Sequence, residues 1–327
     1  MKLLRNVSSR LASMLFFLGI ACSSLAQTNR EFPSKPVRVV VGLGPGSSMD
    51  LVARTLGPAL TEIWGHPVVI ENRVGAAGNI AADLVARATD GHTLLFAQNA
   101  ITISASLYPK LTYDLRRDLS PVTQLTAMPH VIVTNVSVPA RTLSELLALA
   151  KSSPTQLNLS SAGIGNADHM AAELLAYQAG VRLVHIPYNS GSLAINALIA
   201  GDAQIYLPGL PVSLSLIQAG KIRALAVTGS SRSSTLPEVP TVQESGIAGY
   251  QTVLWYGLFA PSTMPKVEIE KIATDAGRAL RMPLVKDKLR TTGIDAVGNT
   301  PTEFKSFVET EIDRWALIVR ERQLQPD

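Results

Sequence analysis

The chain has 327 residues, 46% hydrophobic and 17% charged, with mean hydropathy +0.21. That is the length of about two ordinary domains, and the apolar content excludes a disordered chain. Its single cysteine excludes a disulfide framework and a cysteine-held zinc or iron–sulfur cluster. The net charge of +4 is concentrated early: Lys2, Arg5 and Arg10 are three of the 29 basic residues, and without them 26 bases face 25 acids. A near-neutral remainder without a basic run carries no footprint for a phosphate backbone, which excludes nucleic acid as a partner.

The first segment reads as an export leader. Lys2, Arg5 and Arg10 form a positive region, Leu11 to Cys22 an apolar run, and Ser24-Leu25-Ala26 a small-residue cleavage site. Cleavage after Ala26 places the mature protein in the periplasm. The apolar run is short of the ~20 residues a membrane span needs. Acylation at Cys22 is disfavoured because Gly19 stands where a lipobox has a leucine-like residue.

Pro36 to Val41 is a continuous apolar run ending in glycines, the pattern of a buried parallel strand. A helix is expected from Ser47 or Ser48 to about Trp64, with Leu51, Val52, Leu56, Leu60 and Ile63 at helical spacing. Strand 67–70, helix 79–88 and strand 93–97 complete a βαβαβ unit. A second unit follows: strand 157–160, helix 166–178, strand 183–186, helix 192–200, strand 203–207, a helix to Ala219 and strand 222–228. The β-rich segments 122–134 and 250–260 are long enough to cross between two domains. After Pro265 the chain is expected to be helical, with Trp315 on a last helix that returns to the first sheet.

The chemistry concentrates in glycine-rich turns after strands. Gly42-Leu43-Gly44-Pro45-Gly46-Ser47-Ser48-Met49-Asp50 offers backbone N–H groups at a helix start, which suits an anion. Read as a dinucleotide fingerprint, with Glu71 as the ribose-binding acid, it fails: Ser47 replaces the third glycine and Pro45 stiffens the turn. One carboxylate needs only two or three donors and fits better. Ser48 could equally be a helix cap, and Asp50 a complement to the helix dipole. Gly75-Ala76-Ala77-Gly78-Asn79 opens the next helix, with Asn79 either a cap or a ligand donor, and Glu71 and Arg73 read as loop braces. In the second unit Gly163-Ile164-Gly165-Asn166 opens a helix that carries His169 and Glu173. His66, His92, His130, His169 and His185 lack metal-ligand spacing, and no serine-nucleophile elbow or P-loop occurs. No metal, cofactor or catalytic residue is expected. The reading is a solute receptor; the alternative is an exported α/β enzyme, either a hydrolase or an NAD-dependent oxidoreductase.

The segments Phe32-Pro33-Ser34-Lys35-Pro36-Val37-Arg38, Pro45 to Asp50, Glu71-Asn72-Arg73-x-Gly75-x-x-Gly78-Asn79-Ile80 and Asp90-Gly91-x-Thr93-Leu94-Leu95 are all present. So are Tyr113-Asp114-x-x-x-Asp118-Leu119-x-Pro121-Val122, Gly163-x-Gly165-x-x-x-His169 and His185-Ile186-Pro187-Tyr188. Gly220 to Thr228 and Leu236 to Gly246 complete the series. In this order they resemble the tripartite tricarboxylate transporter substrate-binding family, also called the Bug family. The resemblance implies a two-lobed Venus-flytrap α/β receptor, similar to periplasmic binding proteins, each lobe a mainly parallel sheet flanked by helices. The expected parts are a leader over 1–26, a first lobe over 27–127 plus 250–327, and a second lobe over 128–249.

It further implies a monomer that captures a small carboxylate between the lobes and hands it to membrane permease subunits, or to a sensor. By matching motif the ligand contacts would be Gly46, Ser47, Ser48, Gly78 and Asn79 on the first lobe, and Gly165, Asn166, His169 and Tyr188 on the second. Departures single out Met49, where the family has threonine, and Pro208, where the family has aspartate; Gly44, Ser47 and Asn166 also depart. These changes predict a carboxylate with an apolar or aromatic body rather than an amino acid.

Overall fold

The computed structural model describes residues 32–153 and 157–326; the leader and its cleavage site lie outside the described residues. From Lys35 onward the chain builds two mixed sheets, one of six strands and one of five.

The first sheet has the order β11-β4-β10-β3-β1-β2. Its strands are β1 (Val37–Val41), β2 (Val68–Asn72), β3 (Thr93–Gln98), β4 (Leu119–Pro129), β10 (Val253–Pro261) and β11 (Asp295–Ala296). β1 pairs in parallel with β2 and β3, as the βαβαβ pattern requires, while β10 lies antiparallel between β3 and β4. The run Val37 to Val41 is buried on both faces because both are covered. The helix α1 (Ser48–Trp64) packs Ala53, Leu56 and Leu60 against Val39, Phe96 and Leu258. On the other face α2 (Asn79–Ala86) and the last helix, α11 (Pro301–Glu321), enclose Val40, Leu95, Trp255 and Phe259 with Phe304, Val308 and Ile312.

The second sheet has the order β7-β6-β8-β5-β9. Its strands are β5 (Val131–Asn135), β6 (Asn158–Ser161), β7 (Val184–Pro187), β8 (Ile205–Tyr206) and β9 (Ile222–Val227). β6 is parallel to β7 and β8; β5 is antiparallel to β8 and β9. Helices α5 (Leu143–Ser152) and α6 (Ala167–Ala179) share one core with this sheet. Helices α7 (Gly191–Ala200) and α8 (Leu210–Gln218) share another. The expected class is therefore present, with the crossing strands entering antiparallel beside the parallel ones.

The segment expected to cross as one strand is two. β4 ends at Pro129, which has no N–H to extend a ladder, and β5 starts one residue after His130 in the other sheet. His130 donates its N–H to Thr228 Oγ1 at 2.9 Å and accepts from Thr228 N at 3.0 Å, and Thr228 in turn donates its hydroxyl to Thr252 O at 2.7 Å and accepts from Thr252 N at 3.1 Å, so the two crossings are stitched together through Thr228. The stretch after Pro265 is also not wholly helical. α9 (Lys266–Arg281) and α10 (Pro283–Thr291) are followed by β11, because Gly293 and Gly298 adopt φ of +73° and +71° and end the helical run. The helix α11 joins both cores: Phe304, Val308 and Ile312 belong to the first, Trp315 and Ile318 to the second.

Candidate ligand-binding site

The turn between β1 and α1 is held by its own side chains. Ser47, not Ser48, is the N-cap: its hydroxyl accepts from Asp50 N at 3.2 Å. The Asp50 carboxylate accepts from Gly46 N at 3.0 Å, Arg54 Nε at 2.9 Å and Asn72 Nδ2 at 2.9 Å. Burial alone would raise its pKa, but Arg54, Gly46 and Asn72 outweigh it and hold the group below its ordinary value. Asp50 thus stays ionised as a brace. The N–H groups of Ser48 and Met49, the first two of the helix, have no acceptor among the described residues.

The second turn is backbone-strained. Gly75, Ala76, Ala77 and Gly78 have φ of +134°, +47°, +54° and +94° in succession. An alanine in this region costs about 1–2 kcal/mol, and such strain concentrates at ligand clamps. Gly78 N bonds Gly75 O and Asn79 N bonds Ala76 O, while the N–H groups of Ala76 and Ala77 find no acceptor among the described residues. Gly42 and Gly78 bring the two turns together: a Cβ on Gly42 would lie 3.0 Å from Gly78 Cα. The expected cap at Asn79 is instead Gly78. The Asn79 amide is buried, donating to Ser104 Oγ at 3.0 Å and accepting from Tyr113 Oη at 2.7 Å, so both its ends are engaged in the core. Glu71 and Arg73 pair with each other, as braces do.

Met49, Ala77 and Gly78 line one recess at the carboxyl ends of β1 and β3, with Gly42, Leu43 and Gln98. Beside it Gln98, Tyr256 and Thr126 stand opposite one another across β3, β10 and β4. They form a polar row on the sheet face that elsewhere presents Phe96 and Leu258. Ser48 Oγ is 2.6 Å from Tyr256 Oη, and burial pushes the Tyr256 hydroxyl up to about 12. Gln98 Nε2 donates to Asn166 Oδ1 of the other sheet at 3.4 Å.

The turn between β6 and α6 mirrors the first with a different outcome. Asp168 accepts from Ala162 N at 2.7 Å and His169 N at 2.9 Å, Ser161 Oγ takes Gly163 N at 3.1 Å, and His169 Nδ1 takes Gly165 N at 3.2 Å. Asn166 caps α6 by accepting from Ala167 N at 2.8 Å. Most donors of this turn are engaged from within. Burial raises Asp168 to about 6. His169 is 2% exposed, stacks on His185 at 3.9 Å between centroids, and lies 3.7 Å from Glu173, which Arg322 contacts at 2.6 Å. Burial, with the Arg322 charge, lowers His169 to about 4, so the ring is neutral and supports the turn. Gly165 sits against α3 (Ala100–Leu107): a Cβ there would lie 2.3 Å from Leu107, a member of the second sheet's core.

Tyr188 is half-buried, its N–H bonded to Ser161 O, and Pro208 is buried with its carbonyl accepting from Val131 N. At α7 the Ser190 hydroxyl caps Leu193 N, leaving the N–H groups of Gly191 and Ser192 without an acceptor among the described residues. Sequence reasoning placed this helix from Ser192, one residue late, but did not read its start as a donor site, although Ser-Gly-Ser before an apolar run is a capping signature. It also missed Gln98 and Tyr256, which sit in apolar strand runs and carry no local signal. Among the described residues no group of histidine, cysteine, aspartate and glutamate could hold a metal ion, and no helix is long and apolar enough to cross a membrane.

A family model described as the tripartite tricarboxylate transporter family receptor matches residues 52–324. Protein BugT of Bordetella pertussis is 32% identical over 320 residues, covering 97% of this chain and 98% of BugT. An R. palustris protein solved with adipate aligns with TM-score 0.83 at 30% identity, over 91% of this chain and 100% of its own. MatC from Rhodopseudomonas palustris, with bound malate, gives 0.80 at 32% identity, over 88% and 100%. The chain belongs to the tripartite tricarboxylate transporter receptors, a family of two-lobed periplasmic solute-binding proteins.

Proposed function

We propose that this protein is an exported receptor that captures a small carboxylate between its lobes and delivers it, as a monomer, to the permease subunits of a tripartite tricarboxylate-type transporter. The observation that carries the reading is donor accounting. Four backbone N–H groups, of Ser48, Met49, Ala76 and Ala77, lack acceptors in two turns that meet at one recess. Ala76 is exposed, but Ser48, Met49 and Ala77 are buried or half-buried and their N–H groups call for a partner; a helix start with a strained turn is suited to an anion. The first lobe, 27–127 with 250–327, supplies this cradle. The second, 128–249, closes on it through Asn166 and Gly165, with Tyr188, Pro208 and the α7 start facing the ligand body. The boundaries accord with the change of sheet at His130 and between Val227 and Val253.

Within this reading Gly46, Ser47, Asn79 and His169 shape the site while their polar groups stay engaged internally; Ser48, Met49 and Gly78 meet the ligand. None of the residues that line the recess is cationic, so the backbone and hydroxyls neutralise one carboxylate and Met49 packs on an apolar body. Two similar proteins were solved with adipate and with malate, which supports a dicarboxylate of this size. The protein acts by binding and release, without turnover.

The test is a thermal-shift screen of the chain from Gln27 with adipate, malate, aromatic carboxylates, glutamate, aspartate and NAD, followed by calorimetry. A ligand at ~100 times its Kd adds about 2.7 kcal/mol of stability. Adipate or an aromatic acid is expected to shift the transition well above aspartate. A shift with NAD alone would overturn the receptor reading in favour of an oxidoreductase.

A further inference from the structure

Tyr256 is 1% exposed, and its hydroxyl has one hydrogen-bond partner among the described residues, Ser48 Oγ at 2.6 Å. Thr126, opposite it on β4, has a buried Oγ1 with no partner, so Thr126 does not take the phenol proton. Each hydroxyl carries one proton, and only one of the two lies between the oxygens. If Ser48 donated to Tyr256, the phenol proton would be buried without an acceptor, an arrangement that is strongly disfavoured. The phenol is also the more acidic hydroxyl and therefore the better donor. Ser48 is not so confined: it is half-buried on the first turn of α1, beside Met49 and the recess.

We infer that Tyr256 is a positioning residue: it donates to Ser48 Oγ and thereby turns the Ser48 hydroxyl proton toward the anion cradle. The chain Tyr256 O–H to Ser48 O–H to carboxylate gives every proton an acceptor and runs alongside the free N–H groups of Ser48 and Met49. Each bond polarises the next. With one Ser48 lone pair taken by Tyr256, an ammonium can be accepted only by turning the Ser48 proton away from the cradle, so the pair favours an acceptor such as a carboxylate. Neither hydroxyl changes its protonation state. The inference rests on an anion occupying the cradle, and the experiment separates the two.

Calorimetric titration with adipate is made on wild type, Ser48→Ala, Tyr256→Phe and the double variant, with the melting temperature of each recorded ligand-free. Ser48→Ala should weaken adipate about tenfold. Tyr256→Phe, which keeps the ring, should weaken it about threefold and add nothing in the Ser48→Ala background. Wild-type affinity in Tyr256→Phe, even with a lowered melting temperature, would overturn the inference, and so would equal losses in both backgrounds. In ligand-free protein with ¹³C-labelled tyrosine, the Tyr256 hydroxyl proton should be protected from exchange. It should show an NOE to the Ser48 β-protons and move upfield in Ser48→Ala. Absence of that resonance overturns the donor direction alone. The resonance in a protein that binds no member of the carboxylate panel upholds the direction and overturns the receptor reading.

Discussion

Gly165 shows how one residue lets a turn close on a neighbouring helix. Its φ of +72° lies in the left-handed region, and a methyl there would come 2.3 Å from Leu107. Gly165→Ala combines a left-handed alanine with overpacking, so it should lower stability by about 2–5 kcal/mol, read by urea unfolding. A loss below about 0.5 kcal/mol would mean that the two surfaces are not held together here. Ser47 and Ser48 are neighbours with different tasks. Ser47→Ala removes the cap of α1 and should lower stability by about 1 kcal/mol with little change in affinity, the reverse of Ser48→Ala. Denaturation and calorimetry on the same pair of variants distinguish the two.

At the scale of the element, α11 has the most consequential placement. At 21 residues it is about 31 Å long, long enough to reach both cores. Its midpoint is Glu311, buried, which accepts from Trp315 Nε1 at 3.0 Å and Trp255 Nε1 at 3.4 Å and pairs with Arg314 at 3.2 Å. One carboxylate thus ties the helix to β10 and holds Trp315 against α6. Trp315 is fully buried, and Trp315→Ala should cost about 3–5 kcal/mol. Because Phe304 and Ile312 on the same helix belong to the first core, both sheets should lose hydrogen-exchange protection together. Loss confined to the second sheet would show that the helix does not couple them.

For the whole molecule the buried histidines set the response to acid. Burial lowers both His130 and His169 to about 4 from an ordinary 6.5, and raises Asp168 to about 6 from 3.8. Between these values the unfolded chain binds the two histidine protons that the folded one refuses, so acidification costs stability. Asp168 acts oppositely: the folded state takes its proton first, and its contribution improves as pH falls from about 6. From these three groups, two losses against one gain leave about one net proton, or about 1.4 kcal/mol of stability lost per pH unit between pH 6 and 5; nearer pH 4, Asp50, Asp83 and Asp90, held below their ordinary values, add to the loss. Urea midpoints across that range check it, and His130→Leu should flatten the slope. By the same count, a midpoint independent of pH would mean that only one histidine is held neutral against Asp168, and one that rises with acid would mean that neither is.

The local pattern of the chain determined the βαβαβ order, the apolar strands and the glycine turns at their carboxyl ends, because period, turn chemistry and capping act over a few residues. It also singled out the helix start at which the N–H groups of Ser48 and Met49 have no acceptor among the described residues. Left undetermined were the roles that depend on which distant group arrives. Ser48 reads as a cap until Tyr256, 208 residues later, meets its hydroxyl and Ser47 takes the cap. Asn79 and His169 read as ligand donors until Tyr113, Ser104 and the Gly165 N–H engage them. The break at His130 and the short β11 follow from strand pairing between segments far apart in sequence. Hydrogen-bond partners across a core are set by tertiary packing, and a polar side chain in a linear sequence does not say whether its proton faces the ligand or the protein.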